Sequence, residues 1–408
     1  MKTLLVAPVA LAVLAWPLRA QDTTATVPDT GYVEYHESPI SLPLGIGLRT
    51  PSYDRVNGLT IPWGPKIELG DEKLELDALV SYRSNLGNWD PSLEGFIRPV
   101  SATELKFYAG RGTFTNDSWI RSDLFNSLAV LFVGSDARNY FRADRATVRL
   151  TQTLNAGEMV LTPFIGGNIE RDWSTGLSVL STVPQKTPWS FFGRKGILKM
   201  RRQNPPVAKG RINSILGGSG IQLSRGGLEG KLDATVEHTL STSFDAGCTV
   251  IPSDGSCRVP PSAFTQTTLD SRVTFPTFGS QSFAFLGHAL LTGRTTAPPQ
   301  RFGYLGGSGT LATVDLLALA GDRLIYVQGD YTIPFERIQL PVVGGSPFLA
   351  LRYAAGNAGV GKLPPLIQNL GVGAGVSILR VDYSIDPARN RSPFSRRSAV
   401  TFGVSLSL

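Results

Sequence analysis

Covalent chemistry needs a nucleophile, a base and a group to orient them, and this chain offers few candidates. Its three histidines are His36, which lies in the N-terminal tail, and His238 and His288, isolated on or beside strands; His238 has Glu237 beside it. A serine–histidine pair of the phospholipase kind is the one catalytic arrangement these two could serve. There is no Gly-x-Ser-x-Gly, no His-Glu-x-x-His and no phosphate-binding glycine loop with its lysine. Gly217-Gly218-Ser219-Gly220 and Gly306-Gly307-Ser308-Gly309 read as strand or loop glycines rather than nucleophile elbows. The expectation is a protein that is not an enzyme and carries no cofactor. Cys248 and Cys257, the only cysteines, stand in a polar, Pro-rich segment. A disulfide closing a loop suits them, since a metal would want more ligands nearby.

The charged residues follow a different pattern. In Leu228-Glu229-Gly230-Lys231-Leu232-Asp233-Ala234-Thr235-Val236-Glu237 the even positions are apolar or glycine and the odd ones polar, so Glu229, Lys231, Asp233 and Glu237 share one side of a strand. Arg149 in 146–150 and Arg380 and Asp382 in 379–386 repeat the arrangement. With the apolar side facing lipid, these seven residues would line a polar lumen.

Such strands must be held in a class of fold that composition helps to choose. Met1–Ala20 has Lys2, an apolar run from Leu4 to Trp16 and a Leu18-Arg19-Ala20 end, the form of a cleaved secretory signal. Beyond it no apolar stretch is long enough for a helical membrane span, while 44 glycines and 28 prolines suggest many turns. The net charge of +7 is modest and forms no basic run with interleaved aromatics, which argues against nucleic acid. The last residues, Thr401-Phe402-Gly403-Val404-Ser405-Leu406-Ser407-Leu408, alternate to the end as a closing strand would. An exported chain of alternating strands is expected to be all-β, a transmembrane antiparallel β-barrel in an outer membrane, with 1–20 as signal, 21–40 as flexible tail and 41–408 as barrel.

Strand candidates are 41–49, 58–69, 74–78, 91–99, 105–109, 146–150, 158–170, 211–223, 228–237, 266–275, 281–292, 323–334, 347–354, 370–377, 379–386 and 399–408, roughly sixteen, an even number as bacterial barrels use. The segment 58–69 could be one strand or a bent pair around Pro62 and Pro65. Connections after even-numbered strands are mostly short and those after odd-numbered strands mostly long. That parity predicts periplasmic turns at one end and extracellular loops at the other. One long loop has helical spacing, with Asp117 as a candidate N-cap, Ile120, Leu124, Leu128 and Leu131 in register, and Gly134 as the stop. A short helix over the barrel mouth is expected. The loop at 174–209 gathers Arg194, Lys195, Lys199, Arg201 and Arg202 near Trp189, Phe191 and Phe192, either a solvated basic loop or a grip on lipopolysaccharide phosphates or an anionic solute.

Over most of the barrel loosely and over residues 301–408 more closely, the chain resembles a known family, the bacterial surface antigen superfamily of outer-membrane barrels, which includes insertases and two-partner secretion transporters. In that family the loop between strands eleven and twelve folds inward and carries Gly-Gly, then Leu/Val-Arg-Gly-aromatic, then Gly-Asp and a strand ending in an acid and proline. Here Gly306, Gly307, Gly309 and Leu311 stand in that order, followed by Gly321-Asp322 and a strand ending Gly329-Asp330-Tyr331-Thr332-Ile333-Pro334. Tyr53-Asp54-Arg55-Val56-Asn57-Gly58-Leu59 is a weaker family-like opening. Thr401, Gly403, Leu406 and Leu408 match the terminal signal read by barrel-assembly machinery, with leucine in place of the last aromatic. The resemblance implies outer-membrane lipids and lipopolysaccharide as surroundings and that machinery as a partner during biogenesis.

Two departures limit the function it implies. Ala312-Thr313-Val314 replaces Arg-Gly-aromatic, and Phe348-Leu349-Ala350-Leu351-Arg352-Tyr353 lacks an acid for such an arginine, so the loop is expected to fold inward without the family's latch. The stretch from Gln21 to about Glu37 is too short for a polypeptide-transport-associated domain. The expected function is a pore or a scaffold for surface loops. The alternative is an assembly or lipid-remodelling factor working through a seam between the first and last strands.

Overall fold

The computed structural model describes residues 40–70, 73–175, 190–191, 202–245, 249–250, 257–293, 295–338, 346–376, 379–388 and 394–404. The signal, all of the tail but residue 40, and Leu406 and Leu408 lie outside them. Among these residues sixteen antiparallel strands follow one another, each paired with the next. Here β1 is broken into Ile40–Ser41 and Ser52–Asp54, and β2 into Gly58–Trp63 and Lys66–Leu69; β3 is Leu74–Arg83, β4 Asn88–Val100 and β5 Thr103–Phe114. Next come β6, broken into Phe141–Gln152 and Leu154–Ala156, β7 Met159–Ser174, β8 Gly210–Arg225, β9 Leu228–Phe244, β10 Thr265–Pro276 and β11 Ser282–Thr292. The series ends with β12 Arg323–Pro334, β13 Pro347–Gly359, β14 Ile367–Val376, β15 Leu379–Ile385 and β16 Ser398–Val404. Both pieces of β2 pair with β3, so 58–69 is one strand bent at Gly64-Pro65, where a proline nitrogen has no hydrogen to give the ladder.

Sidedness follows from the period of two. Along β15, Arg380, Asp382 and Ser384 are buried while Leu379, Val381, Tyr383 and Ile385 are exposed. In β7, Asn168, Glu170 and Asp172 are buried and Ile165 and Ile169 stand 64% and 61% exposed. Polar side chains inside and aliphatic ones outside reverse the pattern of a water-soluble sheet, and hydrocarbon is the solvent that suits the outer face. The sheet curls on itself. The end of β1 and the turn after it reach the loops beyond β5 and β7, with Tyr53 N–H on Ser127 Oγ at 3.1 Å and Arg55 Nη1 on the Arg202 carbonyl at 2.6 Å. Flat strands 4.8 Å apart would hold these groups well out of reach.

Loop lengths mostly sort by end, with 55–57 and 84–87 short on the long-loop side and 335–346 long on the other. The connections 101–102, 157–158 and 226–227 are tight, whereas 115–140, 175–209, 245–264 and 293–322 are long. The helix, α1, spans Asp123–Val133 and ends at Gly134, whose N–H reaches the Val130 carbonyl at 3.0 Å. Its N-cap is Ser122, not Asp117. Asp117 is instead buried, accepting the Asn139 N–H at 2.8 Å, so a residue with good capping chemistry is used for tertiary contact.

Candidate functional site

The loop 293–322 leaves β11 and turns into the barrel. At its root, Pro299–Arg301 form one 3-10 turn in which all three residues are buried. Proline at the start fixes φ for that turn, and the turn delivers Arg301 to two carboxylates on the inner wall. Its Nε donates to Glu237 Oε2 at 2.7 Å and its Nη2 to Glu237 Oε1 at 3.0 Å, and Nη2 also pairs with Glu170. Glu170 lies on β7 and Glu237 on β9. Glu170 further accepts from Arg145 at 2.8 Å, and Glu237 accepts from Ser214 Oγ at 2.8 Å. Gln300 donates to Asp172 Oδ2 and to the Ala208 carbonyl, both at 3.1 Å. Gln266 of β10 donates to the Arg301 carbonyl at 3.0 Å. Four consecutive strands or their ends thus hold one turn.

Past the root, Gly303–Leu305 pairs with Leu319–Gly321 as a small hairpin. Leu305, Leu311 and Val314 of the loop pack with Leu290 of β11, Leu324 and Tyr326 of β12, Ala354 and Ala358 of β13 and Ile367 of β14. This apolar cluster lies on the polar side of the wall, where the loop supplies its missing half. Gly306 and Gly321 permit the close approach: a Cβ on Gly306 would meet the Asp315 carbonyl oxygen at 2.1 Å, and one on Gly321 the Gly359 carbonyl oxygen at 2.2 Å. Asp322 staples the exit, its carboxylate accepting the Ala297 N–H at 2.9 Å and the Gly361 N–H at 2.7 Å. At the tip, Thr313 and Asn369 of β14 exchange hydrogen bonds at 3.0 and 2.7 Å. The Arg396 N–H donates to the Thr313 carbonyl at 2.7 Å, and the Arg396 guanidinium pairs with Asp315 at 2.8 Å.

The loop is therefore latched, but by other contacts than the tip arginine that Ala312-Thr313-Val314 replaces. The arginine sits at the root rather than the tip and its acids are on β7 and β9. Asp330, the acid of the β12 ending, is taken by Arg352 at 2.8 Å and Arg380 at 3.1 Å, and Arg380 also holds Asp382 at 2.6 Å. Arg149 stacks its guanidinium 3.4 Å from the Phe164 ring centroid. Glu229, Lys231 and Asp233 share the face of Glu237, with Lys231 and Asp233 paired at 2.9 Å. Thr401 and Gly403 lie opposite Asp382 and Arg380. Cys257 is disulfide-bonded, and Cys248 lies outside the described residues.

His238 and Glu237 do not come together. Neighbours on a strand point to opposite faces, and His238 meets Thr265 Oγ1 at 2.8 Å on the outer side while Glu237 holds Arg301 within. His288 pairs with Asp270 at 2.6 Å under the Trp119 ring, centroids 4.1 Å apart.

A second polar cluster packs against α1. Asp136 accepts from Asn126 at 3.0 Å, from Tyr140 Oη at 3.0 Å and from the Arg55 N–H at 3.2 Å. Arg202 of the basic loop is part of it, donating to the Arg138 carbonyl at 2.8 Å and to Asn139. Burial, then the nearby Arg55 charge, lowers Arg202 to about 9. Arg194, Lys195, Lys199 and Arg201 lie outside the described residues. Burial also pushes the Asp117 carboxyl up to about 7 against its hydrogen bond from Asn139. Asp117 lines a cavity of about 20 Å³ together with Tyr140, Gln300 and Tyr304.

No family model and no curated protein matches the sequence. Among solved structures the chain is similar to CdiB from Escherichia coli (11% identity, TM-score 0.47, 90% of this chain and 62% of that one) and to CdiB from Acinetobacter baumannii (12%, 0.45, 87% and 58%). It thus spans less than two thirds of either CdiB chain. It is similar also to BamA from Haemophilus ducreyi lacking POTRA domains 1–3, at 13% identity and TM-score 0.50 over 87% of this chain and 68% of that one. With the polar interior, the aliphatic exterior and the consecutive antiparallel strands, the likeness to the BamA barrel bears on the fold alone: the chain is a transmembrane antiparallel β-barrel.

Proposed function

We propose that the protein is an integral outer-membrane barrel stoppered by its own inward loop, a rigid holder of extracellular loops rather than an open pore or an enzyme. The observation that carries this is Arg301 bound to Glu170 and Glu237 beneath a hairpin packed on β11 to β14. A loop held both by charge at its root and by apolar packing along its length resists displacement more than a free loop would. Planar-bilayer recording of the purified protein tests it. Silence in the native protein with steps of conductance in Arg301→Ala supports the reading, and steady large conductance in the native protein rejects it.

The alternative, an assembly or lipid-remodelling factor with a working seam, is favoured by the shape of the terminal strands. The first strand is interrupted by a 3-10 turn at Pro43–Gly45, and β16, with Phe402 76% exposed, pairs only with β15 among the described residues. Cysteines placed in 40–41 and 399–402 and locked by a cross-linker test it: a seam mechanism requires that locking abolish the cellular phenotype.

A further inference from the structure

On the outer wall, near the ends of β7 and β8 that carry the long loops, Arg171 and Arg211 lie directly opposite each other in the ladder. Both are exposed. Among the described residues neither guanidinium forms a hydrogen bond or ion pair. Like charges facing each other across a strand pair repel, and the neighbouring acid does not relieve them. Asp144, the partner of Arg171 on β6, is held bidentately by Arg111, Nε to Oδ1 at 2.6 Å and Nη2 to Oδ2 at 3.0 Å. On the other flank Arg211 faces Ser243. At the β8 rim, Lys209 is taken by Asp245 at 2.9 Å. Below the two arginines the same face turns aliphatic, with Ile169 and Ile215 exposed. Two guanidiniums without a partner among the described residues therefore stand together where the apolar wall gives way to polar side chains.

We infer that Arg171 and Arg211 form a binding site for the phosphate of a membrane lipid headgroup, on the outer surface at the extracellular edge of the hydrocarbon. Two guanidiniums across one ladder step can each donate to one phosphate, which removes their repulsion and replaces it with charge-assisted hydrogen bonds. The acyl chains of the same lipid would run down over Ile169 and Ile215. The site rests on the membrane-barrel reading above, which sets the aliphatic face against lipid.

Native mass spectrometry of the full chain in neutral detergent tests the proposal, with phosphatidic acid, diacylglycerol or inorganic phosphate as the added probe. The native protein is expected to retain phosphatidic acid in preference to diacylglycerol. In R171S/R211S that retention falls by roughly tenfold or more, as loss of charge-assisted hydrogen bonds requires. Arg225→Ser at the opposite end of β8, where Arg225 pairs with Glu158 at 3.2 Å, is expected to leave retention unchanged. Equal retention by the double variant overturns the site, as does inorganic phosphate bound as well as the lipid. Heat-modifiable migration on a gel is read on the same samples. A native protein that migrates as a compact barrel yet shows no phosphate preference overturns the lipid site alone, whereas one that never shows the compact species overturns the membrane reading with it.

Discussion

Replacing Arg301 with alanine removes a guanidinium that two carboxylates share inside the barrel. Breaking a buried pair by deleting one partner costs about 3–5 kcal/mol, because the remaining charge loses its compensation. The structure argues for the lower part of that range. Glu170 keeps Arg145 at 2.8 Å and Asn168 at 3.2 Å, and Glu237 keeps Ser214 at 2.8 Å. A loss of roughly 3 kcal/mol is therefore expected, read as a lower midpoint for conversion of the compact to the unfolded species on a gel. A double variant, Arg301→Met with Glu237→Gln, removes one charge of each sign, leaves Glu170 paired with Arg145, and is expected to recover most of that loss. The single and double variants must differ for the reasoning to stand. If Arg301→Ala lies within about 0.5 kcal/mol of the native protein, the range of an uninvolved surface change, the latch is not holding the loop.

Gly321→Ala places a methyl against the Gly359 backbone, 2.2 Å from its oxygen, and is expected to destabilise by about 1–3 kcal/mol and to expose 306–318 to protease in intact membranes. The Asp117 carboxyl is raised from 3.8 to about 7, so the folded state holds its proton where the unfolded chain has released it. Its contribution to stability is full below 3.8, declines as pH rises and is lost above about 7. Asp117→Asn, which keeps an acceptor for the Asn139 N–H, is expected to flatten that slope and to stabilise the protein at pH values above it, read from urea midpoints across the range. Cys257→Ser is expected to slow migration on a non-reducing gel and to lower stability by about 2 kcal/mol, with native migration arguing against a constrained loop.

The architecture was legible because one face of each strand meets lipid and the other meets polar groups, so that a segment such as 379–386 declares its sidedness residue by residue. The inward loop was legible in order and spacing from its glycines. Its latch was not. Arg301 follows Pro-Pro-Gln in a stretch with no periodicity, and its partners lie 64 and 131 residues away, a relation that only the curvature of the sheet creates. Arg202 read as one more cation in a basic loop, yet its guanidinium is spent on the Arg138 carbonyl and Asn139. Asp117 illustrates the converse case. Its local capping propensity was real, but the helix starts at Ser122 because the Asp117 carboxylate is engaged by the Asn139 N–H. Local rules identify strands, turns and helix ends, while the assignment of buried charges depends on which distant wall the chain is folded against.

Whether the loop occupies the lumen can be measured by pairing cysteines at Thr313→Cys and Asn369→Cys, in a chain whose Cys248 and Cys257 are serine. In the native protein these two side chains touch, Asn369 Nδ2 donating to Thr313 Oγ1 at 2.7 Å. Oxidation in intact outer membranes should give a near-complete internal cross-link, seen as altered gel mobility that reductant reverses. Two free thiols that both react with an impermeant reagent from outside the cell would place the tip away from β14 and contradict the stoppered barrel.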